Sequence, residues 1–216
     1  AEAMVSAPGA LRAGMTGRGA LSASGAPLHG RISLSAGPTL PDRHLADYQW
    51  DVTPRATGRV ELGVASEAWS GGLAVQSWGT TQSVAARDAG AVAVRMTSVQ
   101  PRVERRLVTA ARTTLAARAG FGALRVGYAP ERVTLAGGGA GTPVEVHFRP
   151  LWTWLASAGL SIDRPLSPAL AVGLGVERTL FPLDTTHRIG SEFLSRREYF
   201  GGWSVDGRLT WRGGAF

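Results

Sequence analysis

His187, Ser191 and Glu192 bring a base, a hydroxyl and a carboxylate into one short stretch, the three roles that nucleophilic acyl chemistry asks of side chains. Their spacing is not specific to any such arrangement, and a solvated loop histidine accounts for His187 equally simply. His29, His44 and His147 are far apart and belong to no HExxH or paired pattern, so the sequence supports no metal site. The glycines of AGGGAGTP (136–143) lack the Lys-Ser/Thr ending of a phosphate loop and open no helical pattern; they read as a loop. With no cysteine, a disulfide framework and a thiolate metal site are both excluded. No cofactor is expected, and the chain does not read as an enzyme.

The chemistry that does recur is ionic. Arg31, Arg59, Glu61, Arg102, Glu104, Arg118, Glu177, Asp206 and Arg208 all fall on the polar parity of alternating segments, each opposed by an apolar parity. All 23 basic residues are arginine and the net charge is +7, but the arginines are scattered singly, without a basic stripe interleaved with aromatics. Nucleic acid is therefore not an expected partner.

Eight alternating segments must position these charges: 28–36, 55–65, 71–81, 97–108, 113–128, 146–162, 169–181 and the terminal stretch from 199. In the second, Val60, Leu62 and Val64 oppose Arg59 and Glu61; in the seventh, Leu170, Val172, Leu174 and Val176 oppose Gly173, Gly175 and Glu177. Pro101 counts against a central position in a sheet, because it cannot donate to the ladder. The connections alternate in length. Long ones (38–54, 82–96, 129–145 and 182–197) all fall at one end of the predicted sheet, and short ones (66–70, 109–112 and 163–168) at the other. No run of about 18 apolar residues provides a membrane helix. A spanning barrel needs none, since half of each strand faces inward, and a length of 216 residues with mean hydropathy near zero and 29 glycines fits one. Residues 1–26, rich in Ala, Gly and Ser, are expected to be a flexible arm, with 27–216 as one barrel domain. The opening AEAMVSAPGA has neither a basic n-region nor an apolar h-region; a secretion signal is expected to have been removed, the alternative being a cytosolic chain that never had one.

The last stretch, YFGGWSVDGRLTWRGGAF (199–216), sets Tyr199, Trp203, Val205, Leu209 and Trp211 against Ser204, Asp206, Arg208, Thr210 and Arg212. It resembles the closing strand of bacterial outer-membrane β-barrels, in which a terminal aromatic, here Phe216, is the assembly signal. Phe216 is out of phase with Trp211, and a bulge at Gly213-Gly214 would restore the match. Over 28–216 the alternation and the sorted loops resemble the eight-stranded group that includes the outer-membrane protein A, X and W barrels. That resemblance implies an all-β fold, an eight-stranded antiparallel up-and-down transmembrane barrel in a bacterial outer membrane. It would contact membrane lipid and lipopolysaccharide, other envelope proteins, and the barrel-assembly machinery during biogenesis.

In such a barrel the polar parity fills a narrow lumen as an Arg/Glu/Asp network. Trp69, Trp152, Trp154, Tyr199, Trp203 and Trp211, together with Phe121, Tyr128 and Phe181, would ring the two membrane interfaces. Arg105 and Arg178 break the apolar parity and are tolerable only near an interface. The inward glycines, such as Gly120 and Gly175, would make room for neighbouring arginines. The expected role is structural or interactive, a scaffold or anchor. A narrow channel for small solutes and a lipid A-modifying hydrolase at the rim are the alternatives. The group includes lipid A deacylases, but these carry a His and a Ser two apart on one strand, which neither HRI (187–189) nor HFR (147–149) reproduces.

Overall fold

The computed structural model describes residues 27–84, 90–135, 143–189 and 192–215. Eight strands close into one antiparallel barrel: β1 (His29–Pro41), β2 (Arg55–Ala65), β3 (Trp69–Ser83), β4 (Ala91–Ala110), β5 (Thr113–Ala129), β8 (Leu151–Pro165), β9 (Leu170–Ile189) and β10 (Glu192–Ala215). A small hairpin, β6 (Arg132–Leu135) with β7 (Val144–His147), stands on the connection between β5 and β8. Closure comes from β1, which pairs with β2 on one side and with β10 on the other, so the described sheet has no free edge.

A row of paired residues fixes the strand tilt. From Trp203 the row passes through Arg178, Ala158, Ala119, Val103, Gly71, Val64 and Gly30. It returns to β10 between Arg212 and Ala215, about ten residues from where it began. Eight strands with that stagger tilt by roughly 40° to the barrel axis. At the point of return, three residues of β10 oppose two of β1, placing a bulge at Gly213-Gly214 as the phase of the terminal aromatic required. Phe216 itself, Ser191 and the arm 1–26 lie outside the described residues.

Short turns crowd one end. Ala111 and Arg112 form a two-residue loop with both residues left-handed (φ 48° and 65°), the geometry that matches the twist of a hairpin. The other end differs from the sequence expectation in four places. Of the predicted loop 82–96, residues 91–96 are strand, because β4 begins at Ala91 and pairs with β3 up to Ser83. The polar stretch 182–197 is strand rather than loop, since Pro182 to Ile189 pairs in register with Glu192 to Tyr199. It reads as a loop because its outward residues here, Asp184, Arg197 and Ser195, are polar and exposed, while Leu183 and Thr185 on the inward side are buried. The predicted strand 146–162 is two elements, broken at Phe148, Arg149 and Pro150, where proline cannot extend the ladder. Finally, 38–54 is not an open loop. After β1 a 3₁₀ turn, Arg43–Tyr48, folds over the barrel mouth and drives Leu45 and Trp50 inside. Asp51 N–H donates to the Thr81 carbonyl at 2.7 Å and Ser83 N–H to that of Gln49 at 2.9 Å, stitching this lid to β3.

Candidate functional site

Alternation puts every second residue of eight strands into one bore, and charges drawn from seven of those strands meet there. Arg31, Arg59, Glu61, Arg102, Arg118, Glu177, Asp206 and Arg208 are buried, and Glu104 is half-buried at the short-turn mouth. A tenth charge, Asp163, joins them. The sequence reading left Asp163 in the DRPLSP turn, whereas β8 continues through it to Pro165; its even spacing from Ser157 and Ser161 was the available signal.

These ten groups form a single alternating chain. Asp163 holds Arg208, which reaches Glu104 at 2.6 Å; Glu104 meets Arg31 at 3.3 Å, Arg31 meets Glu61 at 3.9 Å, and Glu61 meets Arg102 at 3.7 Å. Arg102 then grips Glu177, whose Oε2 also lies 3.1 Å from Arg59 and 3.3 Å from Arg118; Arg118 closes on Asp206 at 2.6 Å. Five guanidiniums face five carboxylates, so the tier is neutral as a whole. That balance matters because an uncompensated charge in a desolvated bore costs several kcal/mol. Gln76 and Gln100 cover its upper side, Gln76 accepting from Arg59 at 3.0 Å and Gln100 from Ser157 at 3.0 Å. A side chain at Gly175 would strike the Arg118 guanidinium, and one at Gly120 would meet Gln100, Ser157 and Arg102. The inward glycines thus leave the space that the arginines occupy.

Above the glutamines the inward parity turns apolar, which the sequence reading did not anticipate. Trp78, Val94, Met96, Leu124, Val126, Leu155, Phe181, Leu183 and Phe200 pack with Leu45 and Trp50 of the lid into one buried cluster. Phe181, read as an interface aromatic, is 2% exposed inside this cluster, and Tyr128 packs against it from the inward parity of β5. Both were assigned by nearness to a strand end, where parity decides.

The outer face is the reverse. Leu34, Val60, Leu62, Leu73, Val75, Val99, Val103, Leu174, Val176 and Val205 are exposed there. Trp69 and Trp211 mark its short-turn edge, while Trp152, Trp154, Tyr199 and Trp203 mark the other, where Phe121 contacts Trp154 and Trp154 contacts Tyr199 at ring separations of 5.9 and 6.0 Å. Eight residues of β10 separate Trp203 from Trp211, a height of roughly 20 Å at the strand tilt given above. Arg105 and Arg178, which broke the apolar parity in the sequence, sit at these edges. Arg105 lies over the Trp69 ring at 5.2 Å, and Arg178 over Trp203 at 5.6 Å with Asp42 3.4 Å away. An apolar band around a charged bore, with no open strand edge, matches hydrocarbon rather than water. The molecule is a transmembrane β-barrel of the outer-membrane type.

The three residues considered for acyl chemistry do not assemble into a described site. His187 lies on β9 opposite Leu194, Glu192 begins β10 opposite Ile189, and Ser191 is outside the described residues. His29 starts β1, and His147 on β7 lies 3.3 Å from Glu145. His44, in the lid, has Nδ1 2.7 Å from Asp47 and Nε2 3.1 Å from Glu198, a carboxylate that also accepts from the Tyr48 hydroxyl. Among the described residues no cluster of His, Cys, Asp and Glu could hold a metal ion.

No protein-family model matches the chain, and no curated protein matches it. Among solved structures it is similar to Neisserial surface protein A (7% identity, 85% of this chain and 96% of that one, TM-score 0.49). It is also similar to the N-terminal barrel domain of Pseudomonas aeruginosa OprF (8%, 84% and 96%, TM-score 0.38) and to the attachment invasion locus protein Ail of Yersinia pestis (12%, 87% and 98%, TM-score 0.39). At these identities the likeness carries no activity across.

Proposed function

We propose that the chain is a plugged barrel of the bacterial outer membrane that serves as a structural or interaction element, presenting its loops and outer wall rather than conducting solutes or turning over a substrate. The observation that carries this reading is the two-tier filling of the bore. The ionic chain crosses it in the short-turn half, and the Trp78, Met96, Leu155, Phe181 and Phe200 cluster crosses it in the other, closed above by Leu45 and Trp50. An ion entering from either end would have to break paired guanidiniums or pass through packed hydrocarbon. A channel needs neither.

Planar-bilayer recording of the purified chain tests this. The wild type is expected to insert without steps in conductance. A variant with Phe181→Ala, Phe200→Ala and Leu45→Ala, which removes the apolar tier but leaves the ionic one, is expected to remain silent as well, because the salt-bridge chain still closes the bore. Steady conductance by the wild type would replace this reading with the narrow-channel alternative.

A further inference from the structure

We propose that the outer wall of β4 and β5 carries a binding site for the phosphate of a phosphorylated glycolipid in the leaflet on the long-loop side, with Arg95 and Arg125 as its ligands. The inference rests on the membrane reading and adds a specific lipid contact to it.

Both arginines point outward and are exposed. Arg125 pairs across the sheet with Trp152, one pleat beyond the Ala123 and Trp154 pair, so it stands just outside the aromatic edge of the apolar band. Arg95 is its diagonal neighbour: Arg95 lies opposite Gly127 and Arg125 opposite Thr97. Diagonal positions on one face are about 7–8 Å apart, close enough for two long side chains to converge on one anion.

The surroundings distinguish this pair from the two outward arginines at the aromatic edges. Arg105 is stacked on Trp69, and Arg178 is held by Trp203 and Asp42. Neither Arg95 nor Arg125 has a carboxylate partner among the described residues. Arg95 is flanked across both neighbouring strands by glycine, Gly79 on β3 and Gly127 on β5, so no side chain stands beside it on the wall. The result is an open groove of about 660 Å³ lined by Arg95, Arg125, Thr97, Gly79 and Gly127 and reaching Arg55 and Glu131 at the barrel rim.

Two planar guanidiniums offer paired donors in the fork geometry that a phosphate accepts. The glycine notch admits a bulky headgroup, and the Glu131 carboxylate and the Thr97 hydroxyl suit the hydroxyls of a sugar. The position selects a lipid over a soluble anion. The groove opens along the wall at headgroup height, so acyl chains attached to the same headgroup would lie on Val99, Val103 and Phe121 below it.

The test uses the full chain in phosphatidylcholine nanodiscs, titrated with bis-phosphorylated lipid A, with the same lipid dephosphorylated, and with inorganic phosphate in excess, and read by native mass spectrometry. Wild type is expected to retain bis-phosphorylated lipid A and to lose it on dephosphorylation, with inorganic phosphate failing to compete. Arg95→Gln and Arg125→Gln should each weaken retention by about tenfold or more, the value of a charge-assisted hydrogen bond. Arg132→Gln, on the β6 hairpin beside Glu145, should leave it unchanged.

Equal retention of the two lipids by an inserted wild-type barrel would overturn the proposal while leaving the membrane reading intact, and that comparison requires no variant. Competition by inorganic phosphate would overturn the assignment to a lipid. Failure of the wild type to insert would sink both readings together.

Discussion

Arg102 holds Glu177 with both arms of its guanidinium, Nη1 donating to Oε1 at 2.9 Å and Nη2 to Oε2 at 2.6 Å. Because Arg59 and Arg118 lean on the same carboxylate, Glu177 is the node through which three arginines are neutralised. Glu177→Ala would leave them facing one another across a desolvated bore. The expected loss is about 3–5 kcal/mol in urea unfolding of the detergent-solubilised barrel, and added salt should not reproduce it, since screening hardly reaches buried pairs. Asp184 and Arg197 make a pair of similar length, 2.9 Å, but with both side chains more than half exposed; Asp184→Ala should cost about 0–1 kcal/mol. Equal losses in the two variants would mean that the bore is hydrated.

How much of this was legible follows the physics of alternation. Within the apolar band one face meets the bore and the other meets a different solvent, so residues such as Arg59 and Val60 declare their sides in the sequence. That is why the strands within the band and nine members of the ionic chain could be placed from parity alone. Beyond the band the rule lapses. The hairpin around Asp184 and Arg197 turns polar, exposed side chains to its outer face and reads as a loop, although its backbone is paired in register. Around Phe181 and Phe200 the chain neighbours Leu180, Pro182, Tyr199 and Gly201 are not charged, so these two carry no mark of which side they take. Leu45 and Trp50 sit in a polar stretch with no period, and only the closed barrel gives them a place to go.

The apolar band makes a depth-dependent demand on one strand. Leu73 and Ser77 both point outward from β3, Leu73 near mid-band beside Leu62 and Pro101, Ser77 four residues nearer the long-loop edge. Leu73→Arg is expected to cost about 2–4 kcal/mol in unfolding from lipid vesicles, and Ser77→Arg about 0–1 kcal/mol, because the charge at Ser77 reaches the interface. Similar costs at the two positions would remove the hydrocarbon from this face.

Orientation is read from the two ends. Ala46, exposed in the lid, and Ser167, exposed in the turn between β8 and β9, lie at opposite mouths. In intact cells an impermeant maleimide should label Ala46→Cys at once and Ser167→Cys only after the outer membrane is opened, following the rule that long loops face outward and short turns the periplasm. The reverse pattern would invert the barrel.

The lid carries a titratable latch. His44 stacks on Phe200 with ring centres 5.5 Å apart, and its two nitrogens face Glu198 and Asp47, one carboxylate from the barrel wall and one from the lid itself. The hydrogen bond to Glu198 raises the His44 pKa above its ordinary value, with that to Asp47 adding to the rise. A raised value in the closed state means that the contact is fully present below about pH 6.5, where the free imidazole would also be protonated, and is lost as pH climbs through the higher closed-state value. Closure should therefore weaken on the alkaline side while the barrel, held by strand pairing and by its filled bore, stays folded. Trp50, buried beneath the lid, reports the change. Its acrylamide quenching, taken as the difference between the wild type and Trp50→Phe, should increase from pH 6 towards pH 9, whereas His44→Gln should show no such step. A step of the same size in His44→Gln would move the titration to another group and leave the lid held by Leu45 and Trp50 alone.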